Sequence, residues 1–133
     1  MPNQLYPLGK NALLGSLDVS TANLKVVLVD AGAYTYSSAH QFLSDIAAGA
    51  RIATSGNLAN KTISNGVFDA DDITFTAVSG VQSEALVIYE DTGSAATSRL
   101  VAYIDSATGL PVTPNGGNIL ITWDNGSNKI FAI

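Results

Sequence analysis

The single histidine of the chain, His40, is the first residue to consider for chemistry, since a histidine beside a carboxylate can act as a general base. Ser37, Ser38 and Asp45 lie near it in sequence and would supply a nucleophile and an orienting carboxylate. No Gly-x-Ser-x-Gly elbow accompanies them, and nothing in the spacing sets a triad geometry. We therefore interpret His40 as a hydrogen-bonded structural histidine and predict that the chain is not an enzyme and has no catalytic residues.

Three carboxylates, Asp69, Asp71 and Asp72, fall within one short turn. Calcium takes roughly six to eight oxygen ligands, and clustered carboxylates supply some of them. The loop lacks the glycine and glutamate that a calcium-binding loop places at fixed offsets. A solvated turn that caps the neighbouring strands is the interpretation we favour. The three residues remain metal candidates, while we predict no bound metal and no cofactor.

The composition excludes several classes of function. The absence of cysteine removes thiol catalysis, disulfides and cysteine-ligated zinc. Six Lys and Arg are scattered singly against eleven Asp and Glu, giving a net charge of −5. Binding to nucleic acid or to an anionic membrane surface requires clustered cations, so neither partner is expected. No apolar run is long enough to span a membrane and the N-terminus lacks a signal peptide, so we expect synthesis in the cytoplasm.

The elements that would position these residues are mostly short strands, which recur about every ten to fifteen residues with turn residues between them. The segments 26–29, 85–89 and 100–104 are apolar on both faces, which predicts strands buried on both sides. Asn65-Gly66 predicts a hairpin turn, and Ile73–Val78 alternates apolar and polar residues. The pattern predicts an all-β fold, specifically an antiparallel β-sandwich of jelly-roll type.

The N-terminal third is the exception, with one or two short helices expected there, near 8–14 and 40–46. We predict a single domain over residues 1–133 that carries an N-terminal arm over about residues 1–20. This arm has two interpretations, because it could dock on its own sheet or reach a neighbouring subunit.

Charged residues make up 13% of the chain, against about 25% in an average globular protein. Surfaces that become covered by other subunits are depleted in charge, so the composition favours a structural subunit of an assembly. A small β-sandwich that binds a glycan or another ligand is the alternative. That alternative needs aromatic side chains exposed in polar loops, and only Tyr34 and Tyr36 qualify, because Tyr89, Tyr103 and Trp123 lie within strands.

Several segments resemble a family of small virion proteins of tailed bacteriophages. The likeness is carried by Gly66–Phe75, Glu84–Tyr89 with Asp91-Thr92-Gly93, Gly109–Gly117 and Thr122–Gly126. It covers the chain from about residue 60 onward and the preceding part more loosely.

The resemblance implies a particle protein without catalysis. The role it favours is a capsid decoration or cement protein that binds the outside of the head and stabilises the shell. A tail or neck component is the alternative within the virion. The implied partners are the major capsid protein and further copies of the chain, as a dimer or trimer. The implied location is the capsid surface of a virion assembled from protein made in the host cytoplasm.

Overall fold

The fold consists of short antiparallel strands and one α-helix, seen in a computed structural model that describes residues 4–105, 107, 109–123 and 130–132. The elements in chain order are β1 (Gln4–Leu5), α1 (Pro7–Gly15), β2 (Leu24–Val29), two 3₁₀ turns (Leu43–Asp45 and Ala48–Ala50), β3 (Arg51–Thr54), β4 (Thr62–Ser64), β5 (Val67–Asp69), β6 (Ile73–Phe75), β7 (Ala85–Glu90), β8 (Leu100–Ile104), β9 (Ile119–Ile121) and β10 (Phe131–Ala132). The predicted all-β class is confirmed.

The strands form three sheets in which every described pair is antiparallel. The largest sheet has the order β1-β8-β7-β2-β3, the second has the order β10-β5-β4, and the third pairs β6 with β9. Within the described residues none of these sheets closes into a barrel.

The three strands at the centre of the large sheet, β2, β7 and β8, are buried on both faces. This confirms the prediction made from their continuous apolar sequences. Their inner side chains, such as Leu28, Leu86 and Val101, share one core cluster with Phe68 of β5 and Phe75 of β6. The inner face of the large sheet is therefore covered by both smaller sheets.

The outer face of the large sheet is covered by Tyr6 and by the chain between β2 and β3, whereas Ala12 of α1 and Leu17 join the first core cluster. Tyr6, Tyr34 and Ile46 pack there against Val87 and Tyr103 in a second core cluster. Different segments of the chain therefore cover the two faces of the same sheet.

The N-terminal segment lies on its own sheet, which is the first of the two predicted arrangements of the arm. β1 pairs with β8, and the backbone N–H of Tyr6 donates to the carbonyl of Val101 at 3.0 Å. Helix α1 starts at Pro7, where proline is favoured because the first helical N–H has no intrahelical partner. Residues 1–3 lie outside the described residues.

Three local predictions need correction. Residues 40–46 form only a 3₁₀ turn, because Phe42 is held extended by a bridge to Arg99. β6 ends at Phe75, since Ala77 adopts a φ of 50° and leaves the strand. β10 begins at Phe131, and Lys129 and Ile133 lie outside the described residues.

Candidate functional site

An apolar groove lies between α1 and the outer strands of the second sheet. It encloses about 340 Å³. Its walls are Leu13, Leu14 and Leu17 on one side and Ile63, Val67 and Phe131 on the other. Asp18 is the one charged side chain among the described residues that line it. Such a surface binds through apolar contact rather than through charge.

The helical wall of the groove is fixed by close packing against the large sheet. Gly9 faces β8 so closely that a Cβ atom there would lie 2.5 Å from the carbonyl oxygen of Leu100. Ala12 is buried on the same side of the helix, whereas Leu14 faces outward and is 80% exposed. The helix therefore buries its small residues and presents a leucine to the groove.

The opposite wall is the β4–β5 hairpin. Asn65 and Gly66 both have positive φ values, 53° and 78°, as a two-residue type I′ turn requires. The predicted Asn-Gly hairpin is thereby confirmed. Ile63 in β4 is 52% exposed, and β4 is an edge strand of its sheet.

The register of this hairpin determines which backbone groups of β4 face outward. Ser64 pairs with Val67 across the two-residue turn, so this pair exchanges hydrogen bonds and the next pair, Ile63 with Phe68, does not. Consistent with this, the carbonyl of Phe68 points the other way and accepts from the N–H of Ile130 at 3.2 Å. The N–H and C=O of Ile63 consequently point away from β5, beside the groove.

The acidic turn serves local structure. The carboxylate of Asp71 accepts from the side-chain amide of Asn60 at 2.6 Å, and that of Asp72 accepts from the backbone N–H of Trp123 at 3.0 Å. The indole N–H of Trp123 donates to the carbonyl of Asp71 at 3.0 Å. Asp69 lies in β5 and is half-buried. Among the residues that the structure describes, no group of three acidic or histidine side chains could hold a metal ion.

His40 bonds to a tyrosine rather than to a serine. Its Nδ1 lies 2.8 Å from the Tyr34 hydroxyl, which in turn lies 2.7 Å from the Tyr6 hydroxyl. The Asp45 carboxylate accepts from the backbone N–H groups of Gln41 and Phe42, at 2.8 and 3.0 Å. These two bonds, chiefly that from Phe42, lower the pKa of Asp45. The structure therefore does not assemble His40, Asp45 and a serine into a triad.

The aromatic side chains form a packed cluster on the outer face of the large sheet. The ring of Tyr36 lies 4.9 Å from that of Tyr6 and 5.6 Å from that of Tyr103. Tyr34, predicted to be exposed, is only 4% exposed because it packs beneath the N-terminal segment. Tyr36 is half-buried. Trp123, predicted to lie within a strand and to pack in a core or an interface, lies beyond the end of β9 and is buried.

Two partly buried ion pairs lie near the ends of strands in the large sheet. Arg99 contacts Glu90 at 2.7 Å and also donates to the Ser16 hydroxyl at 2.8 Å, which ties the end of α1 to the large sheet. Lys25 contacts Asp91 at 3.1 Å. Beside Glu90 the pKa of Arg99 is raised, whereas bonds from the Gly93 N–H and from Lys25 lower the pKa of Asp91.

The sequence alone did not indicate the groove or the role of Tyr6. Two signals were available in the sequence. Leu13 and Leu14 are adjacent on a short helix and cannot both face one core, and the apolar Ile63 lies in an arm of a hairpin.

No protein-family model and no curated protein matches the chain. In the described part of the chain, no helix has the length and apolarity to cross a membrane.

Proposed function

We propose that the chain is a structural protein of a tailed-phage virion, a decoration protein that binds the outside of the head and stabilises the shell. The observation that carries the proposal is the exposed apolar groove beside the free edge of β4, on a chain with few charges. The resemblance of Gly66–Phe75 and Gly109–Gly117 to small virion proteins supports the same role. A ligand that binds only the assembled shell stabilises that shell by mass action.

The proposed architecture is a jelly-roll sandwich. One layer would be the large sheet, and the other would comprise the β10-β5-β4 and β6-β9 sheets together. The support is the shared core cluster, in which Val26 and Ile88 of the large sheet join Phe68 and Ile121 of the smaller ones. In this arrangement β4 lies at the edge of the second layer, where an added strand would meet no other strand among the described residues.

The proposed occupant of the groove is an extended segment of the major capsid protein. An extended segment fits because the outward N–H and C=O of Ile63 can bond to a further strand, as in β-strand addition. Its apolar side chains would enter the space between Leu14 and Phe131. Asp18, at the groove wall, already accepts from the Ser20 backbone N–H and hydroxyl at 2.9 and 2.6 Å, so its carboxylate would keep two hydrogen-bond partners when the segment binds.

The test is co-sedimentation of the purified chain with phage heads and, separately, with tails, both assembled without it. We expect saturable binding to heads, weakened at least tenfold by Ile63→Lys. Leu120→Lys is the matched control, since Leu120 is 60% exposed on β9, away from the groove, and its variant should bind as the wild type does.

Each other outcome of this experiment is decisive. Binding to tails alone would replace the head assignment with the tail or neck alternative, and binding to neither would overturn the virion role. Equal binding by Ile63→Lys and Leu120→Lys would overturn the groove as the contact surface.

Self-association is proposed as well, as a dimer or trimer, and sedimentation equilibrium over a hundredfold concentration range would detect it.

A further inference from the structure

We infer that His40 controls, through Tyr34, how firmly the start of the N-terminal segment is docked on the large sheet, so that protonation of His40 loosens residues 4–10, the part that Tyr6 holds. This inference concerns the chain itself and does not depend on the proposed function.

Tyr6 is the residue that anchors the segment. Its backbone N–H donates to Val101, and its side chain is fully buried in the outer core cluster. Among the described residues the only hydrogen-bond partner of its hydroxyl is the hydroxyl of Tyr34, at 2.7 Å. Tyr34 in turn contacts Nδ1 of His40 at 2.8 Å. The three side chains form a linear hydrogen-bonded chain that starts in the core and ends at a half-buried imidazole.

Only one arrangement of the hydrogens satisfies every hydroxyl in this chain. The Tyr6 O–H must donate to Tyr34, since it has no other acceptor within the described residues. The Tyr34 O–H then donates to His40. Nδ1 must therefore be a bare acceptor, which makes His40 neutral with its hydrogen on Nε2.

The two tyrosines keep their protons throughout. Burial, aided by the bond to Tyr34, raises the pKa of Tyr6 well above its ordinary value, and burial raises that of Tyr34 to about 12. The imidazole is thus the group in this hydrogen-bonded chain that can gain a proton.

Protonation of His40 turns Nδ1 into a donor and reverses the direction of the chain. Tyr34 must then accept from His40 and donate to Tyr6, and the buried Tyr6 O–H loses its acceptor. If His40 instead swings into water, the buried Tyr34 hydroxyl loses its acceptor. Each route leaves a buried polar hydrogen unpaired in the docked state. When His40 is fully protonated, the cost of that unpaired group corresponds to a roughly tenfold to hundredfold increase in the population of the undocked segment.

The charges around the imidazole allow protonation in place. Asp45 interacts with His40 from the 3₁₀ turn and, with its pKa lowered by the Phe42 and Gln41 N–H groups, stays ionised down to low pH. The ring of Tyr34 lies 5.4 Å from the imidazole and packs in turn on Tyr103, on which Glu84 and Asp105 act from the end of the sheet. Asp45 therefore stabilises the cation, while the hydroxyl chain opposes it.

Hydrogen–deuterium exchange at pH 7.5 and pH 5.5, corrected for intrinsic exchange rates, tests the inference. We expect the opening of residues 4–10 to increase severalfold at the lower pH, up to about tenfold, while β7 stays protected. His40→Asn is the control, because its amide oxygen can take the position of Nδ1 and does not titrate, so its opening should be unchanged. An equal pH response in the variant, or none in the wild type, would overturn the inference.

A second measurement needs no variant. Since His40 is the sole histidine, its ring ¹⁵N resonances can be assigned without ambiguity. At pH 8 we expect the tautomer with hydrogen on Nε2. The tautomer with hydrogen on Nδ1 would contradict the proposed direction of the hydrogen-bonded chain, whatever the exchange data show.

Discussion

Replacing Gly9 with alanine tests how closely α1 must approach β8. The added Cβ would lie 2.5 Å from the Leu100 carbonyl oxygen and 3.1 Å from the Val101 Cα, both of which are backbone atoms that cannot rotate away. The helix must therefore retreat by roughly 1 Å to restore van der Waals contact. Overpacking of this kind costs roughly 1–3 kcal/mol.

Helix propensity acts in the opposite direction, because alanine is favoured over glycine by about 1 kcal/mol inside a helix. We expect a net loss of up to about 2 kcal/mol in the free energy of unfolding. Urea denaturation followed by circular dichroism measures it, and the corresponding fall in Tm is up to about 7 °C.

Gly15 provides the matched control, since it lies in the same helix and a Cβ there would meet nothing within 4 Å. Gly15→Ala should be as stable as the wild type or slightly more stable. If Gly9→Ala were as stable as Gly15→Ala, the close approach of helix and strand would be refuted, and with it our account of how the groove wall is fixed.

Three further substitutions have definite expected outcomes. Trp123→Ala should lower the free energy of unfolding by about 3–5 kcal/mol, because it removes a buried side chain and its bond to Asp71; an unchanged Tm would contradict this. Asp45→Asn should flatten the pH dependence of stability in acid. The pKa of Asp45 is lowered in the folded state, chiefly by the Phe42 N–H, so its carboxylate stabilises the fold above about pH 4. This stabilisation is lost as pH falls through the folded-state pKa. Thermal melts from pH 2 to pH 7 measure the difference, and parallel profiles for variant and wild type would refute it. Gly66→Ala should cost about 1 kcal/mol in urea denaturation, because φ is 78° there; wild-type stability would show that the turn is not under this constraint.

The three central strands of the large sheet, β2, β7 and β8, could be predicted because their signal is local. Continuous apolar residues, as in Ala85–Tyr89, mean burial on both faces whatever covers them. The hairpin was equally predictable, since Asn65-Gly66 favours the positive φ values that its turn requires. Both signals depend on a few neighbouring residues and not on the rest of the chain.

The candidate sites were less predictable because they depend on residues far apart in sequence. Tyr34 looks exposed in a polar loop, yet Tyr6, 28 residues away, covers it and bonds to it. The groove joins α1 to a hairpin some fifty residues later. Neither the contact between Tyr6 and Tyr34 nor that between α1 and the hairpin produces a periodic pattern in the sequence. The end of β6 was unpredictable for the same reason. Ala77, just beyond it, has a positive φ and donates its N–H to the side chain of Asn118, which is far away in sequence.

The low charge of the chain is accompanied by an unusual use of the charges that remain. At least eight of the eleven acidic side chains accept hydrogen bonds from their own chain, namely Asp18, Asp30, Asp45, Asp71, Asp72, Glu84, Glu90 and Asp91. Six of these carboxylates accept from backbone N–H groups, and Asp71 and Glu90 accept from the side chains of Asn60 and Arg99. Each such bond fixes a turn, a strand end or a contact within the fold. The proposed contact surface is instead apolar, at Leu14 and Ile63, beside β4, which pairs on one side only among the described strands. In the proposed contact, recognition would depend on shape and strand pairing, because Asp18 is the one charged side chain among the described residues that line the groove.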